Sequence, residues 1–285
     1  MTPETMKQLK LDAVKVREGI LTATYHAKSG HPGGSLSAAD LLTYLYSRQL
    51  NVNPEDPKNE DRDRFVLSKG HITPGYYSAL ALKGFIPWED LKTFRHTDSY
   101  LQGHPNMNKI PGVDMSTGSL GQGLSTAAGM AKAAKLLNKD LNVYSLLGDG
   151  ETAEGQIWEA AMFAGHYGLD NLCFVVDVNG LQIDGKTSEV MNTAPLDKKF
   201  EAFGENVVVI NGHDFEEIES AFNLFEANKG SGKPTVILMN TTKGKGISYM
   251  EDQAGWHGKA PNEQEYLLGM EELAAARKAI EGEYA

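Results

Sequence analysis

The spacing of apolar residues along the first hundred positions predicts helices joined by polar loops. Apolar residues recur at helical spacing from Leu9 to Ala27, and the segment Ser29–Gly34 ends this helix. A second helix is expected to begin with Ser37 as its N-cap and to continue to Leu45. The polar stretch 51–64 indicates a loop. A short apolar strand over 65–67 and a helix over 73–83 are predicted to follow.

Beyond the long loop 96–119 the pattern becomes regular. Helices are predicted over 121–137, 155–167 and 215–227, and strands over 143–147, 172–176, 207–210 and 235–239. Strands that are apolar throughout and separated by helices are typical of a parallel sheet buried on both faces. We therefore expect an α/β fold with a doubly wound, mainly parallel sheet and helices on both faces. Residues 1–285 are expected to form one domain, with 263–285 as a peripheral C-terminal helix.

Composition narrows the class of function. The chain has 285 residues and a net charge of −11, whereas nucleic-acid binding needs a basic surface, so we expect no nucleic-acid partner. It has no apolar run of roughly 18 residues and no signal peptide, so we expect no membrane partner. The single cysteine, Cys173, lies in an apolar strand and is predicted to be buried, which fits a reducing compartment. The predicted location is the cytoplasm.

A carboxylate and an amide follow two neighbouring predicted strands. Asp149 lies between two glycines after the strand 143–147, and Asn179 follows the strand 172–176, with 29 residues between Asp149 and Asn179. A helix and a strand fill this interval, so both side chains return to the carboxyl edge of the sheet, where α/β proteins bind ligands. A carboxylate, an amide oxygen, a backbone carbonyl and two phosphate oxygens suit Mg²⁺, with Ca²⁺ or Mn²⁺ as alternatives. The segment therefore predicts a metal-held diphosphate.

Other phosphate motifs do not fit this sequence. Four residues separate Gly150 from Gly155, whereas the dinucleotide fingerprint needs two. The segment Gly230–Lys233 is followed by Pro234 where a P-loop requires Ser or Thr, and it precedes a strand instead of a helix.

The histidines divide into two groups. Four of them lie beside Gly or Pro in loops, where functional residues concentrate: His31, His71, His104 and His257. The others are expected to be surface residues or hydrogen-bonded core residues: His26, His96, His166 and His213. Zinc is not expected, because no pair of histidines has the i, i+4 spacing of helical zinc ligands.

With these residues in place, the sequence resembles the N-terminal, thiamine diphosphate-binding half of transketolase from about Ala13 to Pro261. The segments that carry the resemblance are Ser29–Gly33, Asp63–His71, Pro111–Gly123, Gly148–Asn179 with Ile183–Gly185, Lys243–Gly246 and Trp256–Lys259.

The resemblance implies roles for individual residues. The metal ligands would be Asp149, Asn179 and the carbonyl of Leu181. The cofactor contacts would be His71, Gly118, Ser119, Leu120, Gly150, Asn179, Lys243 and His257. The catalytic residues, which line the channel over the reactive carbon and carry proton transfers, would be His31, His104 and His257. At the position of Gly34 the family often has a serine that contacts the cofactor, so this chain could make only a backbone contact there.

The resemblance also implies an activity and a partner. The activity is transfer of a two-carbon ketol unit from a ketose phosphate to an aldose phosphate, as in the pentose phosphate pathway. The glutamate that faces the aminopyrimidine comes from a second α/β domain in this family, and we find no such domain after His257. We therefore expect a split transketolase in which a separate C-terminal subunit supplies that glutamate. An α₂β₂ assembly is expected, with Glu154 and Glu159 at the contact between paired cofactor sites.

Two further hypotheses remain open. The chain could be an α-type subunit of another thiamine diphosphate enzyme, either a 2-oxo acid dehydrogenase or an enzyme like deoxyxylulose-phosphate synthase. It could also be a non-catalytic subunit that binds the cofactor. The loops of His31 and His257 favour sugar chemistry, and the presence of both the metal pair and four loop histidines favours a working site.

Overall fold

The computed structural model describes residues 1–284 and contains one five-stranded parallel sheet with strand order β1-β2-β3-β7-β6. A two-stranded antiparallel hairpin, β4–β5, lies outside this sheet. The strands are β1 (Arg64–Leu67), β2 (Val143–Gly148), β3 (Leu172–Val178), β4 (Leu181–Gln182), β5 (Gly185–Lys186), β6 (Asn206–Asn211) and β7 (Thr235–Asn240).

Helices connect the strands and cover the sheet. They are α1 (Pro3–Ala27), α2 (Pro32–Ser37), α3 (Ala39–Tyr44), α4 (Thr73–Lys83), α5 (Gln122–Leu136), α6 (Gly155–His166), α7 (Thr187–Val190), α8 (Leu196–Ala202), α9 (Phe215–Ala227) and α10 (Glu263–Glu283). Within residues 1–284, no helix is both long and apolar enough to cross a membrane.

Both faces of the sheet are buried, because successive strand residues point into different cores. In β2, Tyr144 and Leu146 contribute to a core shared with α1, α3, α4 and α9. Val143 and Leu147 contribute to a second core, shared with α5, α6 and α8. The predicted doubly wound parallel fold is therefore confirmed.

The C-terminal helix α10 packs along α1. Leu273 of α10 is buried with Val14 and Leu21 of α1 in a third apolar cluster. A capping box formed by Asn262 and Glu265 begins this helix and satisfies its free N–H groups. Its bounds lie within two residues of the predicted ones.

The prediction that Ser37 is a helix N-cap is wrong. Pro32, which suits a first helical turn, begins the short helix α2, and Ser37 is its last residue. The Ser37 hydroxyl donates to Oδ2 of Asp177 at 2.6 Å, which ties α2 to the end of β3. The predicted loop 29–34 is accordingly helical from Pro32 onward.

Candidate active site

A cavity of about 350 Å³ opens at the carboxyl edge of the sheet, between the ends of β2 and β3. It collects residues from eight separate parts of the chain that the fold brings together. Its lining contains His31, Gly34, Lys69, His71, His104, Gly118, Leu120, Gly148, Asp149, Gly150, Glu151, Asn179, Leu181, Gln182, Ile183, Lys243 and His257. Every predicted site residue is in this set except Ser119, which is exposed between two lining residues.

The predicted metal donors lie on adjacent strands, as the sequence spacing required. Asp149 follows β2 and Asn179 follows β3, and these two strands pair directly. The Asp149 carboxylate accepts N–H groups from Gly150 at 2.8 Å and from Gly180 at 2.7 Å. The carbonyl of Leu181 faces the Lys243 ammonium at 3.2 Å. The residues that carry the predicted carboxylate, amide and carbonyl donors thus all line the same cavity.

The charge balance around Asp149 suits a cation. Burial, followed by the neighbouring Asp177 carboxylate, raises the pKa of Asp149 to about 6, although its two backbone N–H partners and Lys69 oppose the shift. The side chain is buried, and within residues 1–284 no basic side chain donates a hydrogen bond to it. A divalent cation at this position would offset the cost of the buried charge, and hard oxygen donors are what Mg²⁺ prefers. The residues present therefore fit a metal-held diphosphate.

A buried ionic network behind this site was not predicted. Asp177, near the end of an otherwise apolar β3, is fully buried and forms an ion pair with Lys69. It also accepts from Thr241 and, at 3.2 Å, from the side-chain amide of Asn179. The network thereby fixes the orientation of a predicted metal ligand. The feature of the sequence that could have indicated this network is the charged Asp177 within an otherwise apolar strand.

Glu151 is a second residue that the sequence reasoning missed. Its carboxylate accepts from the Ser68 hydroxyl at 2.5 Å and from the N–H groups of Gly121 at 2.9 Å and Gly148 at 3.1 Å. These three partners belong to three separate segments around the cavity. Glu151 therefore locks together the turn after β1, the start of α5 and the end of β2.

Three imidazoles of the cavity lining pack against one another. The ring centroids of His31, His71 and His257 are 5.0, 5.3 and 5.2 Å apart. Lys243 Nζ lies 3.0 Å from Nδ1 of His257. Because an ammonium group can only donate, this contact makes Nδ1 the acceptor and leaves the ring proton on Nε2.

The imidazoles are neutral at pH 7. Burial, followed by Arg95 and other cationic neighbours, lowers the pKa of His31 to about 4. Burial and then Lys243 lower the pKa of His257 to about 3. Burial also lowers the pKa of His71, which lies deepest, and that of His104. Neutral imidazoles can both accept and donate protons during a reaction.

Close backbone packing shapes the loop 117–121. Gly118 has φ +146°, and a side chain there would meet the His104 ring at 3.0 Å. A side chain at Gly70 would lie 2.7 Å from the Gly118 nitrogen. Glycine at both positions therefore lets this loop approach the turn after β1, with its backbone facing the cavity.

The remaining histidines lie outside the cavity lining. His26, His96, His166 and His213 were predicted to be surface or hydrogen-bonded core residues, and His213 is hydrogen-bonded to Asp40 at 2.8 Å.

The family model for the transketolase, thiamine diphosphate binding domain matches residues 8–280. The chain belongs to this family. The match confirms the resemblance seen in the sequence. Together with relatives that are named as transketolase subunits, it shows a thiamine diphosphate-dependent transketolase subunit, and it does not favour another thiamine diphosphate enzyme or a non-catalytic subunit.

Similar proteins include chains of about the same length and chains of about twice the length. An apulose-4-phosphate transketolase subunit of Actinobacillus succinogenes is 46% identical over 264 residues, which cover 93% of this chain and 94% of that protein. The 6-deoxy-6-sulfo-D-fructose transketolase subunit of a Clostridium species is 46% identical over 244 residues, 86% of this chain and 88% of that protein. Transketolase of Campylobacter jejuni superposes with a TM-score of 0.86 at 34% identity, covering 96% of this chain but 45% of that one.

Proposed function

We propose that this chain binds the diphosphate and metal in a split transketolase. Together with a separate C-terminal subunit, it transfers a two-carbon ketol unit from a ketose phosphate to an aldose phosphate. The observation that carries this proposal is the convergence of Asp149, Asn179 and the Leu181 carbonyl beside Lys69 and Lys243 in one cavity. Oxygen donors for a metal and cations for a diphosphate are what such a cofactor requires.

The proposed metal is Mg²⁺, with Ca²⁺ or Mn²⁺ as alternatives. Asp149 contributes a carboxylate, Asn179 its Oδ1 atom and Leu181 its backbone carbonyl. The Asn179 amide nitrogen is held by Asp177, which leaves its oxygen on the side of Leu181, whose N–H lies 3.1 Å away. No thiol lies in the lining, which disfavours soft metals.

The proposed cofactor contacts surround the metal donors. His71, Gly150 and Lys243 contribute from three loops, together with Asn179 and His257. The segment Gly118–Leu120 contributes backbone groups, so the exposure of the Ser119 side chain does not conflict with its assignment.

His31, His104 and His257 are the proposed catalytic residues. Thiamine diphosphate, when bound, supplies the nucleophilic carbon and stabilises the two-carbon fragment. The neutral imidazoles orient the substrate hydroxyls and move protons between them. His31 lines the cavity, and its Nδ1 atom is buried and has no hydrogen-bond partner within residues 1–284.

The proposed partner supplies the glutamate opposite the aminopyrimidine. An α₂β₂ assembly would pair two cofactor sites, with Glu154 and Glu159 at the contact. Both glutamates are exposed, and Glu159 borders a shallow apolar cleft with Phe163, which is 38% exposed.

Phosphorylated sugars are the proposed substrates, and the cytoplasm is the proposed location. The sugars in the relatives' names, an apulose phosphate and a sulfonated fructose, both end in an anionic group. We accordingly propose a ketose donor with a terminal anionic group. A role in the pentose phosphate pathway stays a prediction.

The proposal is tested by substrate choice and by cofactor choice. The chain, mixed with a subunit that carries the second domain, is assayed for xylulose 5-phosphate cleavage and for pyruvate decarboxylation. We expect the first reaction only, and we expect EDTA to abolish it. Thiamine without its diphosphate is the control and should not bind. Pyruvate decarboxylation, or activity that survives EDTA treatment, would contradict the proposal.

A further inference from the structure

A buried ionic cluster lies behind the segment that carries Lys243, outside the cavity lining. It consists of Arg17 from α1, Asp40 from α3 and His213, which follows β6. Their side chains are 9%, 7% and 15% exposed, respectively. We call these three residues the rear cluster.

Hydrogen bonds make the rear cluster rigid. Arg17 donates from Nη1 to Asp40 Oδ1 at 2.9 Å and from Nη2 to Oδ2 at 2.6 Å. His213 Nδ1 lies 2.8 Å from Oδ2 of the same carboxylate. A two-point contact between guanidinium and carboxylate fixes orientation as well as distance.

The rear cluster holds the backbone on both sides of Lys243. The N–H of Thr242 donates to His213 Nε2 at 2.9 Å. Because a backbone N–H can only donate, Nε2 carries the lone pair, and the ring proton lies on Nδ1, facing Asp40. Arg17 Nε donates to the carbonyl of Lys245 at 3.0 Å. The two anchors therefore fall one residue before and two residues after Lys243.

The segment between these anchors has little freedom. Gly244, with φ +80°, donates its N–H to the Gly33 carbonyl at 2.9 Å. A side chain at Gly246 would lie 3.0 Å from Cδ of Arg17, so Arg17 packs directly on this backbone. Lys243, which lies between these anchors, is 2% exposed. Its ammonium lies between the Leu181 carbonyl and His257.

We infer that Arg17, Asp40 and His213 are positioning residues that set where the Lys243 ammonium lies in the cofactor cavity. The inference rests on the proposed function, in which Lys243 contacts the cofactor. The three side chains act through the backbone of residues 242 and 245, and the cavity lining does not include them. Loss of one anchor should therefore weaken diphosphate binding through Lys243 alone.

The test is a double-mutant cycle on the full chain, read as the affinity for thiamine diphosphate with Mg²⁺ by calorimetry. His213→Leu should weaken binding about tenfold. His213→Gln should restore most of the affinity, because its amide oxygen can accept from Thr242 while its nitrogen donates to Asp40. In the Lys243→Met background, His213→Leu should have no further effect.

A stability control separates positioning from general damage. Leu169 is fully buried at the amino edge of the sheet, away from the cavity, so Leu169→Ala should lower the Tm without changing cofactor affinity. If His213→Leu does not fold, Arg17→Lys removes the Nε bond to Lys245 while keeping the charge. This variant should also weaken binding only when Lys243 is present.

The outcomes distinguish the inference from the proposal beneath it. Unchanged affinity in Lys243→Met would contradict the role of Lys243 in the proposed function and would overturn the inference with it. Weaker binding in Lys243→Met with no effect of His213→Leu would overturn the inference alone. An effect of His213→Leu that persists in the Lys243→Met background would also overturn the inference alone.

Discussion

Asp149 and Asp170 lie at opposite edges of the sheet and have nearly the same local hydrogen bonds. Each carboxylate accepts from two glycine N–H groups, at 2.7 and 2.8 Å for Asp149 and at 2.8 and 3.0 Å for Asp170. Their charge balance differs. Lys135 forms an ion pair with Asp170, whereas the charged neighbour that acts most strongly on Asp149 is the Asp177 carboxylate.

The pKa shifts of the two aspartates have opposite signs. At Asp170, burial is outweighed by Lys135 and by the two glycine N–H groups, so the pKa is lowered. At Asp149, burial and Asp177 raise the pKa to about 6. Asp170 already has a counter-charge in Lys135, so its role is structural. Asp149 has no such ion pair in the described part of the chain, so it is suited to bind a cation. Charge balance therefore separates the two where local geometry does not.

The largest expected effect is on cofactor binding by Asp149→Asn. Loss of a charged metal donor should weaken Mg²⁺-dependent thiamine diphosphate binding by about 100-fold or more. The free energy of unfolding should stay within about 1 kcal/mol of the parent, because an uncompensated charge is removed together with one hydrogen bond. Calorimetry and urea unfolding measure the two quantities. A large loss of stability with retained cofactor binding would show that Asp149 has a structural role instead of a metal-binding one.

A third buried carboxylate, Glu205, extends the comparison, because neither of its oxygens has a hydrogen-bond partner within residues 1–284. Burial raises its pKa to about 9. A raised pKa means that folding takes up a proton, so this residue destabilises the fold above its unfolded pKa of about 4.3, increasingly up to pH 9. Glu205→Gln should therefore raise the free energy of unfolding by about 2 kcal/mol at pH 8 and change it little at pH 4.5. An equal effect at pH 8 and pH 4.5 would contradict the raised pKa of Glu205.

Asp170→Asn is the matched control for the first variant. It removes the ion pair with Lys135 and weakens two backbone contacts, which should cost about 1.5 kcal/mol of unfolding free energy at pH 7. Because the pKa of Asp170 is lowered on folding, this loss should shrink only as the pH falls below the ordinary aspartate pKa of about 3.9. Cofactor affinity should be unchanged, and weaker binding would show that the two edges of the sheet are coupled.

The smallest effect is the pH dependence of metal binding in the unaltered chain. A proton competes with the cation for Asp149, so affinity for Mg²⁺ should fall towards tenfold per pH unit below about pH 6. The imidazoles of His31 and His257 do not interfere, since their pKa values lie at about 4 and about 3. Protonation of the diphosphate itself is measured without protein and subtracted. A flat profile from pH 7.5 to 5 would contradict the assignment.

The sequence predicted the layout of the fold and the edge that carries the site. The strands 143–147 and 172–176 were found within two residues, because they are apolar throughout and end at glycines or polar residues. The separation of Asp149 from Asn179 fitted one helix and one strand, so their meeting point followed from topology. The hairpin β4–β5 was not predicted, since two-residue strands leave no periodic pattern.

Contacts between distant residues could not be predicted in the same way. Asp177 binds Lys69, 108 positions away, and Glu151 binds Ser68, 83 positions away. Neither pair shows a local pattern, because loops from different crossovers bring them together. Ser37 was assigned as an N-cap from its residue type, but tertiary contact with Asp177 decided its place. The four loop histidines were singled out because loop position and motif agreed, and all four lie in the cavity lining.

The central claim is that this chain holds one half of a transketolase active site. Its most direct test is a titration of the chain, with thiamine diphosphate and Mg²⁺, by a subunit that carries the second domain, followed by the rate of ketol transfer. We predict no turnover by the chain alone and a rate that saturates at one partner subunit per chain. Turnover at the full rate without the partner would contradict the claim.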